Sequence, residues 1–135
     1  MLQLSPRVHL EMVGHALDGL PDEACGLIAG RPGRDLAEVF YPTRNADASS
    51  RTYTVDPRDH LKADRDAEDR GMEIIGVMHS HTHTDAYPSP TDVAQAPDPS
   101  WHYVIVSLKR EEAVLRSYRI VEGEIAEEGV ALAGR

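Results

Sequence analysis

The stretch EIIGVMHSHTHTDAYPSPTDVAQAP (73–97) decides how this chain is read. After Glu73 it opens as an apolar run, Ile74 to Met78, and turns polar at His79, the pattern of a buried strand that surfaces at one end. Three of the seven histidines, His79, His81 and His83, then fall on alternate positions. After a loop, Ser89-Pro90 opens a helix of about two turns that closes before Pro97. Side chains two apart on a strand share a face, about 6–7 Å apart. A His-x-His pair at a strand end can therefore converge on one ion, and the turn is long enough to fold Asp92 back over that end. His81 with His83 satisfies the spacing as well as His79 with His81. Two imidazoles and one carboxylate leave a fourth tetrahedral position for water, which distinguishes a catalytic zinc site from a closed structural one. Ser89-Pro90-Thr91-Asp92 also reads as a capping box, with Asp92 in the first turn where the helix dipole favours an acid.

Outward from this stretch, Ser5-Pro6 starts a helix that stops at Gly19, and EACGLIAGR (23–31) reads as a short buried strand. LAEVFYPTRNA (36–46) reads as its antiparallel partner across the turn at 31–34, and RTYTVDP (51–57) as a short strand. PRDHLKADRDAEDRG (57–71) is a polar, exposed helix with Leu61 as its one large apolar residue. HYVIVSL (102–108) is a further strand, and 113–132 folds as two strands about Glu122-Gly123, the Glu-rich part a solvated hairpin. Strands interleaved with about three helices indicate one layered α/β or α+β domain, within the usual size for 135 residues.

Composition narrows the function. A formal net charge of −9 with scattered Lys and Arg argues against nucleic acid as partner. No run approaches the about 20 apolar residues of a membrane helix, and the first residues lack signal-peptide features, so the expected place is the cytoplasm. One cysteine, Cys25, excludes an internal disulfide and any zinc site built from two cysteines of this chain. A hydrolytic metal site needs a base, and Glu23 is the candidate, because a carboxylate opening an apolar strand has its pKa raised towards neutrality by burial. Its alternative is an exposed residue at a strand start. His9, His15 and His60 read as solvated, and Cys25 as inert core packing, although a cysteine hydrolase built on it is a competing chemistry.

Glu23 in PDEACGL (21–27), then His79-Ser80-His81, seven residues, Ser89, two residues and Asp92 together resemble the JAMM (MPN-plus) zinc isopeptidases, whose pattern E…H-[ST]-H-x7-S-x2-D is met at every position. That resemblance implies a curved mixed β-sheet flanked by helices, cytidine-deaminase-like, in a single domain over 1–135. It implies one zinc ion held by His79, His81 and Asp92 with a water as fourth ligand, and leaves His83 at the rim. It makes Glu23 the base that activates this water and returns the proton to the leaving amine, and Ser89 the hydrogen-bond donor to the oxyanion. The short form resembles the small bacterial, Mec-type branch. There the implied partner is a ubiquitin-like or sulfur-carrier protein ending in Gly-Gly, from which cysteine is released. A non-catalytic MPN-type interaction module is the alternative within the same fold.

Overall fold

The computed structural model describes residues 1–133. Its elements in chain order are β1 (Leu2–Leu4), α1 (Pro6–Asp18), β2 (Cys25–Gly30), β3 (Leu36–Ala37), β4 (Val39–Thr43), α2 (Pro57–Asp69), β5 (Glu73–His81), α3 (Pro90–Ala94), β6 (His102–Ser107), β7 (Val114–Val121), β8 (Glu124–Glu128) and β9 (Val130–Leu132). Six strands form one mixed sheet in the order β4-β2-β5-β6-β7-β8, and β3-β1-β9 form a small second sheet. Only the β5–β6 pair is parallel in the large sheet; α3 lies on the connection between them.

The apolar runs of β2 and β6 do not alternate because both faces of the sheet are covered. Ile28, Met78 and Val104 face α1 and the small sheet, packing with Leu2, Leu4, Val8 and Met12. Leu27, Val77, Tyr103 and Ile105 point the other way, towards Ala63 of α2 and Val93 of α3. The period of two then puts His79 and His81, in line with Val77, on the α2–α3 side. Gly76 lets β5 approach β6 closely, since a Cβ there would collide with the His102 carbonyl.

Helix α1 has the expected limits: the Ser5 hydroxyl accepts from the Val8 amide and Gly19 forms the C-cap. Elsewhere the expectations need correction. Residues 36–46 are not one strand: the chain breaks at Glu38, β4 alone pairs along β2, and β3 pairs parallel with β1. Residues 51–57 form no strand; a single bridge joins Val55 to Asn45. Helix α3 ends at Ala94 rather than reaching Pro97. The C-terminal segment holds three strands, the last pairing with β1. In α2 the buried residues are Ala63 and Ala67, while Leu61 is exposed. The carbonyl of Cys25 accepts from His15 Nε2, so that histidine is a structural donor.

His102, at the start of β6, is buried between two carboxylates. It is 1% exposed, with Nδ1 2.6 Å from Glu128 and Nε2 3.0 Å from Asp35. Glu128 belongs to the stretch expected to be solvated, yet it is nearly buried and also accepts from Ser117. No helix among the described residues is long and apolar enough to cross a membrane.

Candidate metal centre

Two backbone registers and one cap build the site. β2 and β5 pair so that Cys25 stands opposite His79, and continuing that register sets Glu23 opposite His81. The junction is locked by Ser80: its amide donates to the Ala24 carbonyl at 2.9 Å, and its hydroxyl accepts from the Ala24 amide at 2.8 Å. Helix α3 begins with a complete capping box. Ser89 Oγ accepts from the Asp92 amide at 3.0 Å, and Asp92 Oδ2 accepts from the Ser89 amide at 2.9 Å. The box that the sequence offered as an alternative to metal binding is thus present, and it aims Asp92 at the histidines.

His79 Nε2, His81 Nε2 and Asp92 Oδ2 form an equilateral triangle, each 3.1 Å from the other two. All three residues are buried. Hydrogen bonding cannot account for the triangle. A carboxylate oxygen only accepts and each Nε2 carries at most one in-plane proton, so one edge always lacks a well-aligned bond. Ligands about 2.0–2.1 Å from a tetrahedral ion are separated by about 3.3 Å, close to the edges seen here. The donor set therefore fits zinc.

Two of the three ligands, His79 and Asp92, have protonation states that lean the same way, and His81 leans against it. Burial pushes the His79 imidazole below its usual range, towards the neutral form a metal needs. Burial opposes the charge on Asp92, but bonds to both imidazoles and the Ser89 amide hold it well below the ordinary carboxylate range. Burial also opposes charge on His81, and there the bonds to Asp92 and the Asp85 carbonyl win and raise its pKa. His81 Nδ1 donates to that carbonyl at 2.8 Å, which turns Nε2 into the triangle.

Glu23 is 5% exposed, and its Oε1 is buried with no hydrogen-bond partner among the described residues. Its pKa is pushed up to about 7, mainly by burial; charge on His81 lowers it, while Asp92 and Asp47 raise it. The exposed alternative for Glu23 is therefore wrong. His83 is exposed and lies outside the triangle. Cys25 is buried, and burial pushes its thiol up to about 11, unlike an activated nucleophile.

The sequence reading missed the 44–56 loop. Asn45 donates to the carbonyls of Glu23 and Thr52, both at 3.0 Å, and accepts from the amides of Asp47 and Thr54. The Glu23 amide donates to the Ser49 carbonyl, and Thr82 Oγ1 to that of Ser50. Tyr53 lies flat on His79 with centroids 4.2 Å apart. Asn45-Ala46-Asp47 carried the signal of an Asx turn, but its alliance with Glu23 has no local signature.

Residues 5–121 match the family described as prokaryotic homologs of the JAB domain. The chain is 48% identical over 122 residues to the CysO-cysteine peptidase of Mycobacterium tuberculosis (strain H37Rv), covering 88% of this chain and 82% of the relative. It is 31% identical over 111 residues to the desampylase of Haloferax volcanii, covering 78% and 80%. A solution structure of a protein from Desulfitobacterium hafniense superposes with a TM-score of 0.92 at 38% identity, covering all of this chain and 94% of the other.

Proposed function

The chain belongs to the family of prokaryotic homologs of the JAB domain and is a JAMM-type hydrolase, and on that premise we propose that it cleaves the amide bond after the Gly-Gly terminus of a ubiquitin-like or sulfur-carrier protein, with cysteine as a leaving group. The observation that carries this reading is the buried triangle of His79, His81 and Asp92 beside a carboxylate with an unpartnered oxygen. Relatives that act as a CysO-cysteine peptidase and a desampylase support a conjugate of a small protein as substrate. The depth of the site supports a tail without side chains, since all three ligand residues are at most 8% exposed.

In this reading His79, His81 and Asp92 would hold one zinc ion with a position left for water, and the ion would supply Lewis acidity for the scissile carbonyl. Glu23 accepts a proton from the attacking water at its unpartnered oxygen and delivers it to the departing amine. With a pKa near 7 the carboxylate can do both, which an ordinary surface glutamate does poorly. Ser89 uses one lone pair on the Asp92 amide, so its O–H remains for the developing oxyanion.

The test is incubation of the zinc-loaded protein with Gly-Gly-ended carriers bearing either C-terminal cysteine or a lysine-linked peptide, followed by intact mass. Release of the carrier with a free Gly-Gly end supports the reading, and the faster of the two substrates identifies the leaving group. Both substrates surviving intact, beside a zinc content near one per chain, overturns it.

A further inference from the structure

The two imidazoles of the triangle are held by different means. His81 is oriented by a hydrogen bond from Nδ1 to the Asp85 carbonyl at 2.8 Å. His79 has no counterpart: its Nδ1 is buried and lacks a partner among the described residues. The Tyr53 ring lies over it instead, with centroids 4.2 Å apart and planes only 16° from parallel. The geometry points to Tyr53 as a positioning residue for His79: its ring, in place of a hydrogen bond, holds the imidazole in the plane that aims Nε2 into the triangle. This rests on His79 being a metal ligand.

Tyr53 is itself fixed from both sides, because Asn45 bonds the carbonyl of Thr52 and the amide of Thr54. A ring so braced blocks the tilted orientations that an imidazole without a second hydrogen bond otherwise samples. The stacking also distinguishes the two states of the site. An ion on Nε2 withdraws electron density from the imidazole, which is then better matched to the electron-rich face of a phenol. The contact is worth more with metal than without, and by linkage that difference appears as metal affinity. No hydrogen bond from the Tyr53 hydroxyl to another described residue accompanies the stacking, so the ring alone carries the effect.

The experiment titrates zinc into metal-free protein against a chromophoric chelator and records the visible spectrum of the cobalt-substituted form. Tyr53→Phe keeps the ring and is expected to match wild type in both readouts. Tyr53→Leu removes the ring and is expected to weaken zinc binding by about 10–100-fold, the range for lost support behind a ligand, and to shift the cobalt bands. Tyr53→Met fills the volume without a ring and gives the same reading if the leucine variant does not fold. Zinc affinity in the ringless variants equal to wild type overturns the proposal, as does a loss in Tyr53→Phe equal to theirs. His79→Ala separates this from the underlying assignment. If it keeps full zinc affinity, His79 is no ligand; if it loses zinc while Tyr53→Leu does not, only the stacking role falls.

Discussion

Asn45 donates from its side-chain amide to the backbone carbonyl of Glu23 across 3.0 Å, although the two residues are 22 positions apart. The same side chain makes three further bonds within its own loop, so all four of its hydrogen-bonding positions are filled. Asn45→Asp retains both acceptors, loses both donors, and sets a carboxylate against the carbonyls of Glu23 and Thr52. The expected outcome is a kcat at saturating zinc lower by about 10–100-fold, the scale of a small displacement of a reacting group. Zinc should also bind more weakly, because the brace on Tyr53 through Thr52 is lost. Steady-state kinetics beside metal analysis checks this, and an unaltered kcat removes Asn45 from the positioning of the base.

Glu23 gives a pH signature of its own in the metal-free protein. Its pKa is 4.5 in the unfolded reference and about 7 when folded, chiefly because burial disfavours the charge. The folded state therefore holds the proton more tightly, and its stability falls as pH rises from 4.5 to about 7, then levels off. Glu23→Gln cannot ionise, so its melting temperature relative to wild type should climb across that window and plateau above it. Thermal melts of both proteins with chelator present measure the difference, and a flat difference from pH 4.5 to 8 contradicts a buried, protonated Glu23.

The parts of this site that sequence revealed are those confined to one continuous stretch. A strand ending in alternate histidines followed by a capped helix brings two imidazoles and Asp92 to one end, because strand period and capping geometry are local rules. The choice of His79 and His81 over His81 and His83 rested on the family pattern. Glu23 was visible only as a carboxylate out of place among apolar neighbours. What stayed hidden depends on pairing between distant segments. The strands β1 and β9 are three residues each and exist by pairing with one another across the whole chain, so neither has the length to announce itself. Tyr53 sits in RTYTVDP, whose β-favouring residues suggested a strand. The loop instead takes its shape from Asn45 and leaves one bridge at Val55. The pairing of His102 with Glu128, the latter in a stretch that reads as a solvated hairpin, stays hidden because nothing in either segment reports the other.

That His102–Glu128 pair supports a prediction about stability alone. His102 lies at the start of β6, beside Gly76, while the metal triangle lies at the far end of β5. Replacing it with alanine removes one partner of the nearly buried Glu128 carboxylate and leaves Ser117, Arg119 and the N-terminal amine. A hydrogen bond to a charged group is worth about 1.5–3 kcal/mol, and the alanine variant should be destabilised on that scale with its zinc affinity intact. Burial opposes the Glu128 charge, but its bonds to His102 and Ser117 outweigh this and hold its pKa below 4.5. Its contribution is therefore present above pH 4.5 and lost as pH falls through the lower, folded value. Denaturant melts at neutral and acid pH test both statements; a gap between variant and wild type that does not narrow in acid contradicts them.

Ser89 joins two roles that can be pulled apart. Its oxygen caps α3 by accepting from the Asp92 amide, and its proton is the one assigned to the oxyanion. Alanine removes both, so a slow Ser89→Ala enzyme could reflect a frayed helix that no longer presents Asp92. Asparagine is as good an N-cap as serine but has no hydroxyl. If the cap is the whole contribution, Ser89→Asn keeps both zinc and turnover, while Ser89→Ala loses about 1 kcal/mol of stability and some metal affinity. If the hydroxyl also stabilises the oxyanion, Ser89→Asn keeps zinc and stability yet loses about 10²–10³ in kcat, the usual effect of deleting one such donor. The second pattern is the expected one, because the cap engages the oxygen as acceptor and leaves its hydrogen without a protein partner among the described residues. Full activity in Ser89→Asn would confine Ser89 to holding Asp92 in place.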